Sequence, residues 1–417
     1  MPVVTLGDQS KLQGNFYVPR FEVKIAGANL PQNVLRDVLQ LTYSDNVKEL
    51  DSFEFTVNNW DAEKHEFKYV GSETTDSLSS NPLHRLFNPS RHEVEVSMGY
   101  ENNLTLMMKG SFTTMEPTFP NSGGPTLTVR GLNILHKLRS GQYSYAWMPD
   151  EKHPNGWKES EIAKSLRKVP DLDHKEEGKN KEAKKPFPLE VEIDENALSK
   201  EHPITYVAQD GQYDIDFLLS RARRIGYVVF VKEEEREKGR VTKERRLYFG
   251  PSEANHPGLR PLTFELKWGV SLIDFKPTLT TANQVKTVVV QGTDRSTKKP
   301  ITGKASLDEP RFGLNRDLIK LLEASDARDE RVVDRPVATQ QEADELARAI
   351  LRERSKDILK ANGTCVGLPE LRAGQRIKIG GLGARFSGEY FVTDTVHTIN
   401  DSGYITRFGA RREHQGK

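Results

Sequence analysis

Residues 374–412 read GQRIKIGGLGARFSGEYFVTDTVHTINDSGYITRFGARR. Apolar side chains recur as they do on strands that bury one face: Ile377 and Ile379, Tyr390 and Val392, then Val396, Ile399, Tyr404 and Phe408. Glycines punctuate these runs at Gly380-Gly-Leu-Gly383, Ser387-Gly388 and Asp401-Ser-Gly403, where a tight reversal needs positive φ. The block predicts consecutive antiparallel strands. Gly380–Gly383 has the composition of a phosphate-cradling loop, but strands flank it on both sides and no helix follows, so it reads as a hairpin turn.

Upstream, strand-like stretches at Leu262–Leu266, Ser271–Phe275 and Gln284–Gln291 are separated from this block by a helical insertion of about 305–360. Within it Thr339 and Glu342 make a capping pattern, followed by Ala343, Leu346, Ala347, Ile350 and Leu351 on one helical face. The two strand groups are expected to meet across that helix and complete one sheet.

The first 137 residues also alternate. Phe21, Val23 and Ile25, then Phe53, Phe55 and Val57, then Val94, Val96 and Met98 are each interleaved with polar residues, which predicts an antiparallel sheet with one wet face. Residues 61–89 break the pattern with polar and turn residues and read as a long loop, the kind of segment that in a compact domain is usually either functional or disordered. That loop is expected to wrap a neighbouring subunit, and Trp60, Asp61, Phe67 and Tyr69 are the candidate interface residues.

Between the two β regions, residues 138–260 mix helix and strand. Phe217, Leu218, Ala222 and Ile225 lie at helical spacing before Gly226, a C-terminal cap. Two charged stretches, 171–185 and 232–246, read as solvated linker and exposed hairpin tip. The division expected is therefore 1–137, 138–260 and 261–417.

Composition narrows the function. Lys plus Arg number 61 against 60 Asp plus Glu, a balance that argues against a general nucleic-acid binder, which needs a basic excess to displace counterions. No run approaches the roughly 18 apolar residues of a membrane span. The single cysteine, Cys365, excludes a disulfide framework within the chain. The ten histidines form no H-x-H, H-x₃-H or H-E-x-x-H pattern, and no nucleophile elbow or phosphate loop occurs, so no catalytic residue, metal or cofactor is expected. Asp214 and Asp216 sit where carboxylates oppose a helix dipole, which explains them without a substrate.

Several segments together carry a resemblance: 45–61 (DNVKELDSFEFTVNNWD), Met98-Gly-Tyr100 with Lys109-Gly110, 213–227 (YDIDFLLSRARRIGY), Gln291-Gly292 with the lysines after it, and Phe386–Tyr390 through His397 to Tyr404. In this order the chain resembles the late control protein D family, the hubs of contractile phage tails and related injection systems, including the N-terminal part of the VgrG spike proteins. The resemblance implies an α+β, mainly β fold with two tail-tube-like antiparallel β-barrel domains, an intervening α/β domain and the helical insertion. It implies a homotrimer that joins a tail tube, through its initiator protein, to a central spike, with baseplate wedge proteins as further partners. Such a protein assembles in the cytoplasm and ends in a phage-tail-like particle. Because the sequence stops at Lys417 without a β-helical needle, a separate needle protein is expected. A peptidoglycan-active enzyme and a receptor-binding tail module are the alternatives.

Overall fold

The computed structural model describes residues 3–4, 18–89, 92–101, 103–139, 141–166, 189–237, 240–251, 263–282, 284–293, 298–307, 320, 324–325, 328–333, 337, 339–356 and 358–412. The charged stretch 171–185 lies outside the described residues.

The fold is mainly β and centres on one 14-stranded, largely antiparallel sheet. The N-terminal strands Pro19–Ile25, Val38–Asn46, Ser52–Asn58, Val94–Tyr100, Asn103–Thr118 and Thr126–Asn133 lie side by side in it. Their alternation produces the expected two faces: along 52–58 the odd positions Phe53, Phe55 and Val57 are buried and the even ones half-exposed. Phe53 and Phe55 meet Phe112 edge-on, each with a centroid separation of 5.7 Å. Aromatic pairs of this geometry add to the burial of their area.

The C-terminal block folds as its alternation predicts. Strands Arg376–Gly380, Gly388–Asn400 and Gly403–Arg411 are consecutive antiparallel neighbours. The Gly380–Gly383 run makes the reversal between the first two, closing on a single helical turn at Gly383–Phe386. Strand 388–400 is long enough to serve two neighbours on one edge. Residues 388–391 pair with 376–379, and after an irregularity at Val392/Asp394 residues 394–400 pair with 40–46. One strand thereby joins the C-terminal and N-terminal strands.

Two expectations change. Residues 61–89 are not an irregular loop. They hold a small strand pair, Trp60–Asp61 with Glu66–Phe67, a helix at Thr75–Ser80 and a 3₁₀ turn at Pro82–Arg85. Tyr69 and Phe87, each 2% exposed, insert into the N-terminal core. Two isolated aromatics have no period, so alternation cannot reveal them.

The strand at Val285–Thr293 does not join the large sheet. Leu272–Leu279 pairs with Leu359–Val366, and the amide of Thr280 donates to the carbonyl of Ile358 (3.0 Å), so the chain leaves the sheet at 280 and returns at 358. The excursion carries its own three-stranded sheet, with Pro300–Ser306 antiparallel and Arg328–Val332 parallel to 285–293. Helix Gln340–Ser355, capped by Thr339, lays Ala343, Ala347 and Leu351 on Val288 and Val290. Gly303 permits the close approach, since a Cβ there would overlap the backbone of Ala343.

The middle region packs around Trp147, whose indole stacks on Phe217 of helix Asp214–Ile225 (5.3 Å). Gly226, at φ +74°, ends that helix, and Tyr227–Lys232 pairs with Arg246–Pro251 as a hairpin. The charges at the base of its tip are not merely solvating. Lys109 of the N-terminal sheet pairs with Glu95 (2.8 Å) and with Glu234 (3.2 Å), while Arg245 reaches Glu233 (3.0 Å) and Glu93 (3.3 Å). These bonds fasten the middle region to strands 94–100 and 103–118.

Candidate functional site

At the end of strand 52–58 sits Asn59, fully buried, and it organises the segment that follows. Its side-chain oxygen accepts from the amides of Tyr69 (3.0 Å) and Val70 (3.2 Å), and its amide group donates to the Val70 carbonyl (2.7 Å). Asp37 adds a second anchor by accepting from the Tyr69 hydroxyl (2.8 Å) and the Lys68 ammonium (2.7 Å). Burial, with the Asp37 carboxylate adding to it, pushes the Tyr69 phenol far up, so it stays a hydrogen-bond donor.

So anchored, the segment presents an aromatic ledge. The Phe67 ring contacts Trp60 (5.4 Å) and Phe119 (5.0 Å), both edge-on. Phe119 is 54% exposed. Gly71, at φ +116°, lies so close beneath that a Cβ would stand 2.7 Å from the Phe67 ring. Asp61, Glu63, Glu66 and Glu73 rim the ledge, with Lys64 near Asp61 (4.0 Å) and Glu66 (3.8 Å). The Lys64 backbone amide is the main cause that holds the Asp61 carboxyl below its ordinary range. Of the four residues singled out in the sequence, Trp60, Asp61 and Phe67 therefore come together at the surface. Tyr69 does not; it faces inward onto Asp37. Phe119, the missed member, stands alone among turn residues in Thr118-Phe-Pro-Asn-Ser-Gly123, and only its exposure marks it.

A second concentration of polar groups is buried where strand 388–400 meets 38–46. Arg372 donates to Asp45 (2.6 Å), to the Met107 carbonyl (2.8 Å) and to the Tyr43 hydroxyl. The Thr395 hydroxyl and the Ala373 amide complete the shell of Asp45. Beside them the Leu371 carbonyl takes the proton on His397 Nε2 (2.9 Å), and Nδ1 meets the Tyr404 hydroxyl (3.0 Å). Every named group has a protein partner. The network bolts residues 371–373 and strand 388–400 to strand 38–46.

A cavity of about 430 Å³ separates the middle region from helix 340–355, lined by Glu159, Glu201, Tyr227, Leu346 and Arg352 among others. Two of its carboxylates, Glu159 and Glu201, are already paired. Glu159 accepts two bonds from the Arg221 guanidinium, and Glu201 accepts from the Ser160 amide (2.9 Å) and the Tyr227 hydroxyl (2.9 Å). Asp214 and Asp216 stand in the first turn of helix Asp214–Ile225, facing its dipole as expected, and in addition Asp214 accepts from Gln209 (2.9 Å) and Asp216 from Arg139 (2.8 Å). Among the described residues no group of three side chains is arranged to hold a metal ion, and no helix is long and apolar enough to cross a membrane.

A family model described as the Alg8 N-terminal domain matches residues 172–401, more than half of the 417-residue chain. The chain belongs to that family. The match takes in the middle region from residue 172 onward, the 280–358 excursion and most of the C-terminal block, and so includes Arg372 and His397 of the buried network. Solved structures extend the likeness across nearly the whole chain. The 43 kDa tail protein of prophage MuSo2 from Shewanella oneidensis matches with a TM-score of 0.59 at 12% identity, covering 94% of this chain and 98% of its own. The tail protein of Neisseria meningitidis MC58 matches at 0.58 and 12% identity, with 95% and 97% covered. The E. coli c3393 protein, a type VI secretion component described as structurally similar to the T4 tail proteins gp27 and gp5, matches at 0.52 and 12%, with 95% and 78% covered. At these identities the likeness is one of fold, and the fold is that of phage tail proteins. No curated protein matches the chain.

Proposed function

We propose that this protein is a non-enzymatic baseplate hub of a contractile injection system or phage-like tail, of the late control protein D type. Residues 1–137 and 261–417 each supply a tube-like β-barrel, the latter carrying the 280–358 excursion, and 138–260 is the α/β part between them. Three copies close into a ring that presents paired barrels to a six-fold tube on one face and a three-fold spike on the other, and the ring lines the channel. A tube-initiating protein and baseplate wedge proteins are its further neighbours. The particle assembles in the cytoplasm.

The observation that carries this reading is the shared strand 388–400, which together with the Arg372–Asp45 bolt makes one unit of the two β regions. Two barrels held in fixed relation are what a ring must have to offer a regular face. The tail-protein fold over 94% of the chain supports the same reading. Trp60, Asp61 and Phe67, on their anchored segment, are placed at the subunit boundary.

Electron cryo-microscopy of the assembled particle, with native mass spectrometry of the isolated protein, tests the proposal. A trimer at the junction of tube and spike is expected. A strictly monomeric protein missing from the particle overturns it.

A further inference from the structure

A second apolar surface lies on the C-terminal strands, at the reversal between Thr263–Lys267 and Leu272–Leu279. Trp268, Val270 and Ile273 are 59%, 63% and 58% exposed there. The reversal is well braced: the Trp268 amide donates to the Gly380 carbonyl (3.3 Å), the Ser271 amide to the Lys267 carbonyl (3.1 Å), and the Lys267 amide to the Ser271 hydroxyl (3.1 Å). Apart from the Trp268–Leu272 bridge at its start, strand 272–279 pairs among the described residues only with 359–366. Large side chains held outward on a braced turn beside an open strand edge are a surface prepared for a partner.

Charge identifies the partner. Lys267 and Lys276 flank this tip along the chain and are exposed, as is Arg385 on the 383–386 turn that follows Gly380, the acceptor of the Trp268 amide; Asp274 is the one opposing charge on strand 272–279. The aromatic ledge has the opposite character, four carboxylates against Lys64. Phe119 at the ledge and Trp268, Val270 and Ile273 at the tip are all exposed, so neither surface covers the other within one chain. We infer that the 268–273 tip of one copy seats on the Trp60–Phe67–Phe119 ledge of the next. The occupant of each surface is thus a second copy of this chain, joined head to tail. A contact between two different patches repeats around a ring when its rotation closes, and opposite rims select the register. This inference rests on the ring proposed above and assigns its boundary.

Sedimentation velocity of the full chain over a range of concentration and salt tests it. Self-association is expected to weaken as salt rises. Lys267→Glu with Lys276→Glu should weaken it by roughly ten-fold or more, and adding Glu63→Lys with Glu66→Lys should recover most of that loss. Recovery separates a lost contact from a lost fold, which circular dichroism also reads. In a second arm, Ile273→Cys and Phe119→Cys proteins are mixed, and a disulfide-linked dimer containing one of each is expected; the native Cys365 is buried and gives no background. If the protein oligomerises but neither charge reversal nor cysteine pairing registers, the surface assignment is overturned and the ring stands. A monomer at every concentration overturns both.

Discussion

The Arg372 guanidinium lies 2.6 Å from the Asp45 carboxylate although 327 positions separate them in the chain. Both are buried, and each depends on the other for its charge. Replacing Arg372 by Ala leaves Asp45 without its counter-ion, so a loss of about 3–5 kcal/mol in unfolding free energy is expected. Arg372→Met with Asp45→Leu removes both charges and should lose much less. Urea denaturation of the three proteins decides the point.

Asn59 satisfies three backbone groups of residues 69 and 70. Asn59→Ala strands them, and about 2–3 kcal/mol should be lost, with tryptic cleavage at Lys64 or Lys68 accelerated. Trp60→Ala, on the exposed side, should leave cleavage near the native rate. Equal effects of the two changes would contradict the separation of anchor from ledge.

Burial raises the Glu159 carboxyl above its ordinary 4.5, with Arg221 opposing the shift. The folded protein then holds that proton more tightly than the unfolded chain does. This contribution to stability is fully present below the ordinary carboxylate range and is lost as pH rises through the folded value. Glu159→Gln should flatten the stability profile above the ordinary carboxylate range, measured as urea midpoints. An unchanged slope would assign the dependence elsewhere.

Lys109 ties the base of the 232–246 hairpin to the N-terminal sheet through Glu95 and Glu234. Lys109→Met should lower stability by about 2 kcal/mol and expose the hairpin to limited proteolysis. Glu234→Gln, which keeps the other partner, should do less. Fragment mapping by mass spectrometry reads both.

Much of this architecture was legible in the residues. Period-two spacing located the strands around Phe55, Val96 and Ile377, Gly226 marked a helix end, and Thr339 marked a helix start. Local chemistry governs each of these. What escaped depends on distant partners. Tyr69 and Phe87 are single aromatics in a segment of polar and turn residues, and only the core they join, built from distant strands, explains their burial. The strand at 285–293 has ordinary strand composition, so nothing local distinguishes a place in the large sheet from a place under helix 340–355. Of the candidate interface, Trp60 and Phe67 were visible as aromatics in a polar segment, whereas Phe119 joins them from about fifty positions away.

Strand 388–400 has a mechanical consequence. Force applied along it loads its hydrogen bonds to 376–379, 40–46 and 403–411 in shear, so they must fail together rather than peel one after another. The C-terminal and N-terminal strands therefore have no hinge between them at this point. A load carried by this strand passes between the two sets of strands with little of it absorbed as bending.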